Sequence, residues 1–199
     1  MKVLIIGGVA AGTKAAAKLK REDRSLDITI LTRDRDISYA GCGLPYYVGG
    51  LIESRDQLIV NTPEKYAALT GVQVRTGREA VGLKAAEKKV EVRNLEDGEV
   101  TEEAYDKLII AAGASSIMPE MEGIHLQGVF KLRTPDDAIF MRNYLKDAEA
   151  KKAVVVGGGF IGLETAENLK EQGLDVTVLD AAPQIVPGVL DPEMAAYAK

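Results

Sequence analysis

The stretch Val3-Leu4-Ile5-Ile6-Gly7-Gly8-Val9-Ala10-Ala11-Gly12 decides how this chain is read. Its first four residues are wholly apolar, as in a parallel strand buried on both faces. A glycine-rich turn follows at once, and an alanine-rich helical pattern runs from Thr13 to about Glu22. Ile28-Thr29-Ile30-Leu31 supplies the next apolar strand. Strand, glycine turn, helix and strand, in that order, form the setting in which G-x-G-x-x-G holds a dinucleotide. Val9 stands where the middle glycine would be, so a pyrophosphate approaches the backbone less freely there, while Gly7 and Gly12 are kept.

About 150 residues later the pattern returns in cleaner form. Ala153-Val154-Val155-Val156 leads into Gly157-Gly158-Gly159-Phe160-Ile161-Gly162, then a helix to about Gln172, then Val176-Thr177-Val178-Leu179 ending at Asp180. Gly157, Gly159 and Gly162 are placed for the tight turn, the pyrophosphate approach and the close helix–strand contact. Asp180 is placed to accept from a ribose 2′-hydroxyl, and its charge repels a 2′-phosphate, which favours NADH over NADPH. In the first module that position is Thr32, followed by Arg33 and Asp34, so the ribose contact there is weaker or displaced. Two fingerprints, each in its strand context, outweigh the competing reading of two α/β units with glycine turns and no ligand.

Between the modules, Val72–Arg75, Glu79–Leu83 and Lys89–Arg93 read as short strands, with a turn over Asn94–Gly98 and a further strand near Val100. A three-stranded meander, roughly residues 78–104, is expected as an inserted crossover. Asp106–Ala111 reads as another buried parallel strand, ending in Ala112-Gly113-Ala114, where small residues let backbone pass close to a flat cofactor. Pro119–Lys131 reads as a connecting loop and Thr134–Lys146 as a helix. After Asp180, the prolines at 183, 187 and 192 oppose a long helix at their start. The second module then shows one βαβ unit only, and a two-stranded parallel sheet needs cover. The expectation is a fragment of a longer protein, or a chain that completes itself against another copy.

Cys42 is the one cysteine among 199 residues, so an intrachain disulfide and a four-thiol zinc site are both excluded. It lies in Ser38-Tyr39-Ala40-Gly41-Cys42-Gly43-Leu44-Pro45-Tyr46, after the second strand, near the carboxyl ends where α/β sites form. The flanking Gly41 and Gly43 remove bulk, leaving room for a flat ring on one side of the sulfur and a disulfide on the other. A redox thiolate, cycling through a mixed disulfide or a sulfenic acid, is one reading; a silent buried thiol is the other. Lys14, Lys18 and Arg21 recur along one face of the first helix, read as running toward the end nearest Cys42. They form either a solvated face or a seat for the phosphates of a large anionic thiol. His125, the single histidine, reads as a surface residue.

A formal charge of -5 argues against a general nucleic-acid binder. Val3–Ile6 is too short for a signal segment and nothing approaches a membrane span, so a reducing cytoplasmic setting is the simplest. No metal site is expected.

These residues resemble the FAD-dependent pyridine nucleotide–disulfide oxidoreductases, in the single-cysteine branch of coenzyme A-disulfide reductases, persulfide or polysulfide reductases and NADH oxidases. The likeness runs through the first fingerprint, Ser38–Tyr46, Tyr105–Ala114, Gly157–Glu164 and Leu190–Ala195. It implies a three-layer α/β, Rossmann-like FAD/NAD(P)-binding fold with an inserted meander and an incomplete second nucleotide unit. Residues 1–149 would be FAD-binding and residues 150–199 the start of the NAD(P)H domain. FAD would lie against Gly7, Gly8, Val9, Ala10, Gly12, Thr32, Arg33, Ala111, Ala112 and Gly113. NADH would lie against Gly157, Gly159, Ile161, Gly162 and Asp180, with Phe160 as a gate over the flavin and Glu164 as the carboxylate beneath it. Cys42 would be the redox residue. Lys14, Lys18, Arg21 and Ser38 would meet a coenzyme A-linked disulfide beside Gly41, a position where coenzyme A-disulfide reductases carry asparagine. A homodimer is implied for the full-length protein; weak or no FAD retention is expected of these residues alone, because half of the elements that would cover the flavin are missing.

Overall fold

Strand β1 (Lys2–Ile6) forms because its apolar side chains have two faces to bury, and both are covered. The computed structural model describes residues 1–198. Contact density divides the chain into two compact units: Met1–Tyr39 with Ile59–Ser115, and Ala40–Leu58 with the chain from Ser116 onward.

In the first unit, β1 leads through the glycine turn into α1 (Ala10–Glu22) and then β2 (Asp27–Leu31). The short helix α2 (Leu44–Val48) follows Cys42 and belongs to the second unit. The first unit resumes with α3 (Pro63–Thr70), β3 (Gln73–Arg75), β4 (Arg78–Lys84), β5 (Lys89–Asn94), β6 (Val100–Ala104) and β7 (Lys107–Ile110). The parallel sheet has the order β3-β2-β1-β7, with Val3 opposite Ile28 and Lys107. Val3, Ile5, Ile28 and Ile30 face Ala16 of α1 and Tyr66 of α3, whose hydroxyl donates to the Thr13 carbonyl. Leu4 and Leu31 face Val90 and Val92 of the antiparallel meander β4-β5-β6. Helices, sheet and meander make three layers, and each such side chain taken out of water contributes about 1.5–3 kcal/mol.

The strand expected at 72–75 joins the parallel sheet beside β2, while the meander occupies 78–104. Glu103 of β6 ties the two sheets together through Lys2 at 3.3 Å and Arg75. Burial pushes the Glu103 carboxyl up, but Arg75 and Lys2 outweigh it and hold the group below its ordinary range.

The second unit contains α2, α4 (Pro135–Asp147), β8 (Lys152–Val156), α5 (Phe160–Glu171), β9 (Asp175–Leu179) and α6 (Pro192–Tyr197). Strands β8 and β9 pair in parallel, Lys152 opposite Asp175. One face of the pair, bearing Val154, Val156 and Leu179, is exposed. Pro192 opens α6, where the missing N–H costs nothing, and Asp191 caps it by accepting from Met194 N at 2.8 Å. Among the described residues no helix is long and apolar enough to cross a membrane.

Candidate functional site

The candidate functional residues are a glycine turn in the first unit, and a second glycine turn and one thiol in the second. In the first turn Gly7 has φ +108°, and its N–H donates to the Leu31 carbonyl at 2.8 Å. A Cβ on Gly7 would fall on the Ala111 carbonyl oxygen, and one on Gly12 would fall on the Gly7 carbonyl oxygen. Glycine at these positions is therefore set both by backbone angle and by contact. Ser38, itself at φ +49°, closes the turn by donating its N–H to the Gly8 carbonyl at 3.0 Å. Buried Thr32 stands beside Gly8 at the end of β2. Ala111 continues β7, donating to Ile6 O at 2.7 Å, and Gly113 turns the chain with φ +69°. Gly7, Gly8, Gly12, Thr32, Ser38 and Ala111 thus come together.

The second turn repeats this geometry. Gly157 has φ +113° and donates to Leu179 O at 2.7 Å, and a Cβ on Gly162 would meet the Gly157 carbonyl oxygen. Val186, at φ +43°, donates to Gly158 O at 3.1 Å, as Ser38 does to Gly8. The carboxylate of Asp180 accepts from Ala182 N at 2.7 Å and from Gly158 N. Those two N–H groups, Ala182 first, hold the Asp180 carboxyl below the usual carboxylate range. Two acceptor positions remain for a ribose hydroxyl pair, since a carboxylate offers about four. An open cleft of about 380 Å³ lies alongside, lined by Leu163, Val178, Asp180, Pro183, Gln184 and Ile185 among others. Phe160 and Ile161 are exposed at the start of α5, and Glu164 stands one turn in.

Both turns fit a dinucleotide on the same grounds. Neither α1 nor α5 has a side chain capping its first N–H groups, and each begins at a glycine turn. Such an end presents N–H donors and a positive dipole to a phosphate. Val9 and Ala10 open α1, while Arg33 is exposed and paired with Asp34 at 3.7 Å.

Cys42 is exposed, on a single 3₁₀ turn, Gly41–Gly43, that runs directly into α2. Gly43 is buried, and a Cβ there would come within 2.9 Å of Ile52 Cδ1. Its N–H donates to Ala40 O at 2.9 Å, which fixes the turn under the thiol. The reading of Cys42 as a silent buried thiol is overturned by this exposure.

The basic residues of α1 are spread out rather than gathered. Lys14 lies one turn from the glycine loop, Lys18 is exposed and paired with Glu22, and Arg21 stands in the last turn. Lys14 and Arg21 are about 10 Å apart along the axis. Arg21 lies at the end of α1 remote from the glycine turn, so the stripe leads away from the carboxyl ends of the strands. Residue type alone does not mark the Ser38 and Val186 closures. Their signal is a shared spacing, six residues beyond Thr32 and Asp180 respectively.

Comparison with known proteins accords with this geometry. The sequence model of the family described as pyridine nucleotide-disulphide oxidoreductase matches residues 1–199. The chain belongs to that family. It is 38% identical over 195 residues to an NADH oxidase of Methanocaldococcus jannaschii, a match covering 98% of this chain and 43% of that relative. It is 36% identical over 186 residues to a coenzyme A disulfide reductase of Staphylococcus haemolyticus, covering 92% of this chain and 41% of that one. The crystal structure of reduced Bacillus anthracis CoADR-RHD superposes with a TM-score of 0.95 at 40% identity, over 98% of this chain and 35% of that one. The chain thus spans less than half the length of the curated relatives it matches.

Proposed function

We propose that the protein containing these residues is an NADH-dependent flavin disulfide reductase working through Cys42. Residues 1–149 form the FAD-binding part and residues 150–199 open the NAD(P)H-binding part. The carrying observation is one exposed cysteine in a chain with two glycine turns of matching geometry, each at an uncapped helix start. Gly7, Gly8, Gly12, Thr32 and Ala111–Gly113 hold FAD, and Gly157, Gly159, Gly162 and Asp180 hold NADH. When bound, these two groups supply a pair of electrons for a disulfide.

The chain's own residues do the rest. Thiolate Cys42 attacks one sulfur of a small disulfide, so that an S–S bond forms to Cys42 while the second half leaves as a thiolate. Two electrons and one proton then break the mixed disulfide, restoring the Cys42 thiolate and releasing the first half as a thiol. Gly41 and Gly43 keep the approach to Sγ open. Asp180 orients the nicotinamide nucleotide through its ribose and turns away a 2′-phosphate, which makes NADH the donor rather than NADPH. The relative named as a coenzyme A disulfide reductase supports coenzyme A disulfide, or a related persulfide or polysulfide, as acceptor, with Lys14 and Ser38 as candidate contacts. A cytoplasmic homodimer is the proposed setting.

Cys42→Ser tests this in the full-length holoprotein. NADH-dependent reduction of coenzyme A disulfide is expected to fall on the order of a thousandfold; an unchanged rate sinks the mechanism. The relative named as an NADH oxidase supports a second reading, in which peroxide converts the Cys42 thiolate to a sulfenate with release of water. Oxygen consumed per NADH, with and without coenzyme A disulfide, separates the two.

A further inference from the structure

The helix that follows Cys42 is held by α5, and the place where they touch admits only glycine. Gly49 ends α2 with φ −71°, a conformation open to any residue, so the backbone does not ask for glycine there. Space does. A Cβ on Gly49 would lie 2.7 Å from the Asn168 Cβ, far inside the 3.5–4.0 Å or so at which carbons pack. Asn168 is buried, and its Nδ2 donates to the Glu164 carbonyl at 2.8 Å, which holds the amide against its own helix. One turn on, Gln172 Nε2 donates to the Gly49 carbonyl oxygen. From α4, Arg142 stacks 4.6 Å above the Tyr47 ring and donates to the Ile52 and Glu53 carbonyls at 3.1 and 3.0 Å. Helix α2 is clamped between α4 and α5.

We propose that Asn168 is a positioning residue, which together with Gly49 seats the Cys42 turn on the helix that carries Phe160 and Glu164. The proposal rests on the reaction proposed above. The Gly41–Gly43 turn joins α2 without a linker, and Leu44 N–H donates back to Gly41 O, so a shift of α2 is a shift of Cys42. The amide of Asn168 meets both parts: its nitrogen holds the Glu164 carbonyl and its bulk fills the space that Gly49 leaves. Core packing has discrete arrangements rather than slack, so the contact sets a position and does not merely fill volume. Misplacing a reacting group by about 1 Å costs up to about a hundredfold in rate.

The test reads Cys42 directly, as the rate of alkylation by iodoacetamide against pH, beside kcat and KM for NADH in the full-length holoprotein. Gly49→Ala is expected to change the alkylation rate and kcat by about tenfold, with KM for NADH held within about twofold. Adding Asn168→Gly removes the Cβ, Cγ and Oδ1 that the new methyl meets, so G49A/N168G is expected to return both rates to within about threefold of the starting protein. Asn168→Ala alone adds no bulk and is expected to move the alkylation rate by about threefold, which keeps the test alive if Gly49→Ala does not fold. The proposal is overturned if Asn168→Ala leaves the alkylation rate and its pH profile unchanged, or if the double variant fares no better than a folded Gly49→Ala. Activity surviving in Cys42→Ser would instead bring down the reaction itself, while the alkylation rates still report on the seat.

Discussion

The two glycine modules share a backbone and differ in nearly everything around it. Gly7 and Gly157 have φ values of +108° and +113°, and each donates to the last residue of the neighbouring strand. Gly12 and Gly162 sit on the carbonyls of those same first glycines. Ser38 and Val186 close the two loops in the same left-handed conformation. Yet the first module sits in a four-stranded sheet covered on both faces, and the second in a two-stranded sheet with one face bare. The turn is therefore a local object, coded within about forty residues and indifferent to the size of its sheet. Charge is separate again: it is decided by the single residue that stands at Thr32 or Asp180.

The strongest way to break the parallel is to add the same methyl to both turns. Gly7→Ala suffers the positive φ and a collision with the Ala111 carbonyl, whereas nothing lies within 4 Å of a Cβ on Gly157. Gly7→Ala is expected to cost about 3 kcal/mol or more, and Gly157→Ala about 1–2 kcal/mol, read from urea midpoints. Equal losses would mean that φ alone governs both sites.

Charge exchange has the next largest effect. Asp180→Asn is expected to weaken NADH binding about tenfold in a fluorescence titration and to narrow its margin over NADPH. Thr32→Asp, which places a carboxylate at the corresponding position beside Gly8, is expected to leave NADH binding within about twofold, since it alters the other module. The pH dependence carries a sign. The Asp180 carboxyl is depressed by the Ala182 and Gly158 N–H groups. Its contribution is complete above the ordinary carboxylate pKa of about 3.9 and fades as pH falls through the lowered native value. Wild type and Asp180→Asn are accordingly expected to differ in melting temperature at neutral pH and to converge below about pH 4. A gap that persists at pH 2 would place the stabilisation elsewhere.

Smallest of all is the exposed Lys18–Glu22 pair on α1. Lys18→Ala is expected to change stability by about 0.5 kcal/mol at most. A raised KM for coenzyme A disulfide in that variant would then report on binding, and an unchanged KM would assign Lys18 to the solvated face.

Much of this was legible beforehand because it is local. The apolar runs at Val3–Ile6 and Ala153–Val156, followed at once by glycine, leave few alternatives for what comes next, and β1, α1, β2, β8, α5 and β9 all lie where the periodicity placed them. Helix α3 shows itself in sequence only by its punctuation: Thr62 accepts from Lys65 N, Pro63 takes the first position, and Gly71 ends it at φ +71°. Its eight residues show little apolar periodicity, because only Tyr66 reaches full burial. The strand at 73–75 could be seen but not assigned. Whether Val74 pairs with Ile30 or with the meander depends on partners more than forty positions away.

For the candidate site the division is similar. The glycines, Asp180 and Cys42 stand out by residue type and spacing. Asn168, Arg142 and Gly49 do not, since an asparagine inside a helix and a glycine after one are ordinary in sequence.

Two glycine turns, the acid that distinguishes the second, and a single thiol between them in the chain can be read from residue order alone. These follow from backbone angles and chain neighbours within one βαβ unit. The exposure of the thiol and the seating of its helix on α5 emerge only once the chain is folded. Those facts depend on close packing between segments more than one hundred residues apart, such as Gly49 and Asn168, where a missing side chain in one is explained only by the side chain present in the other.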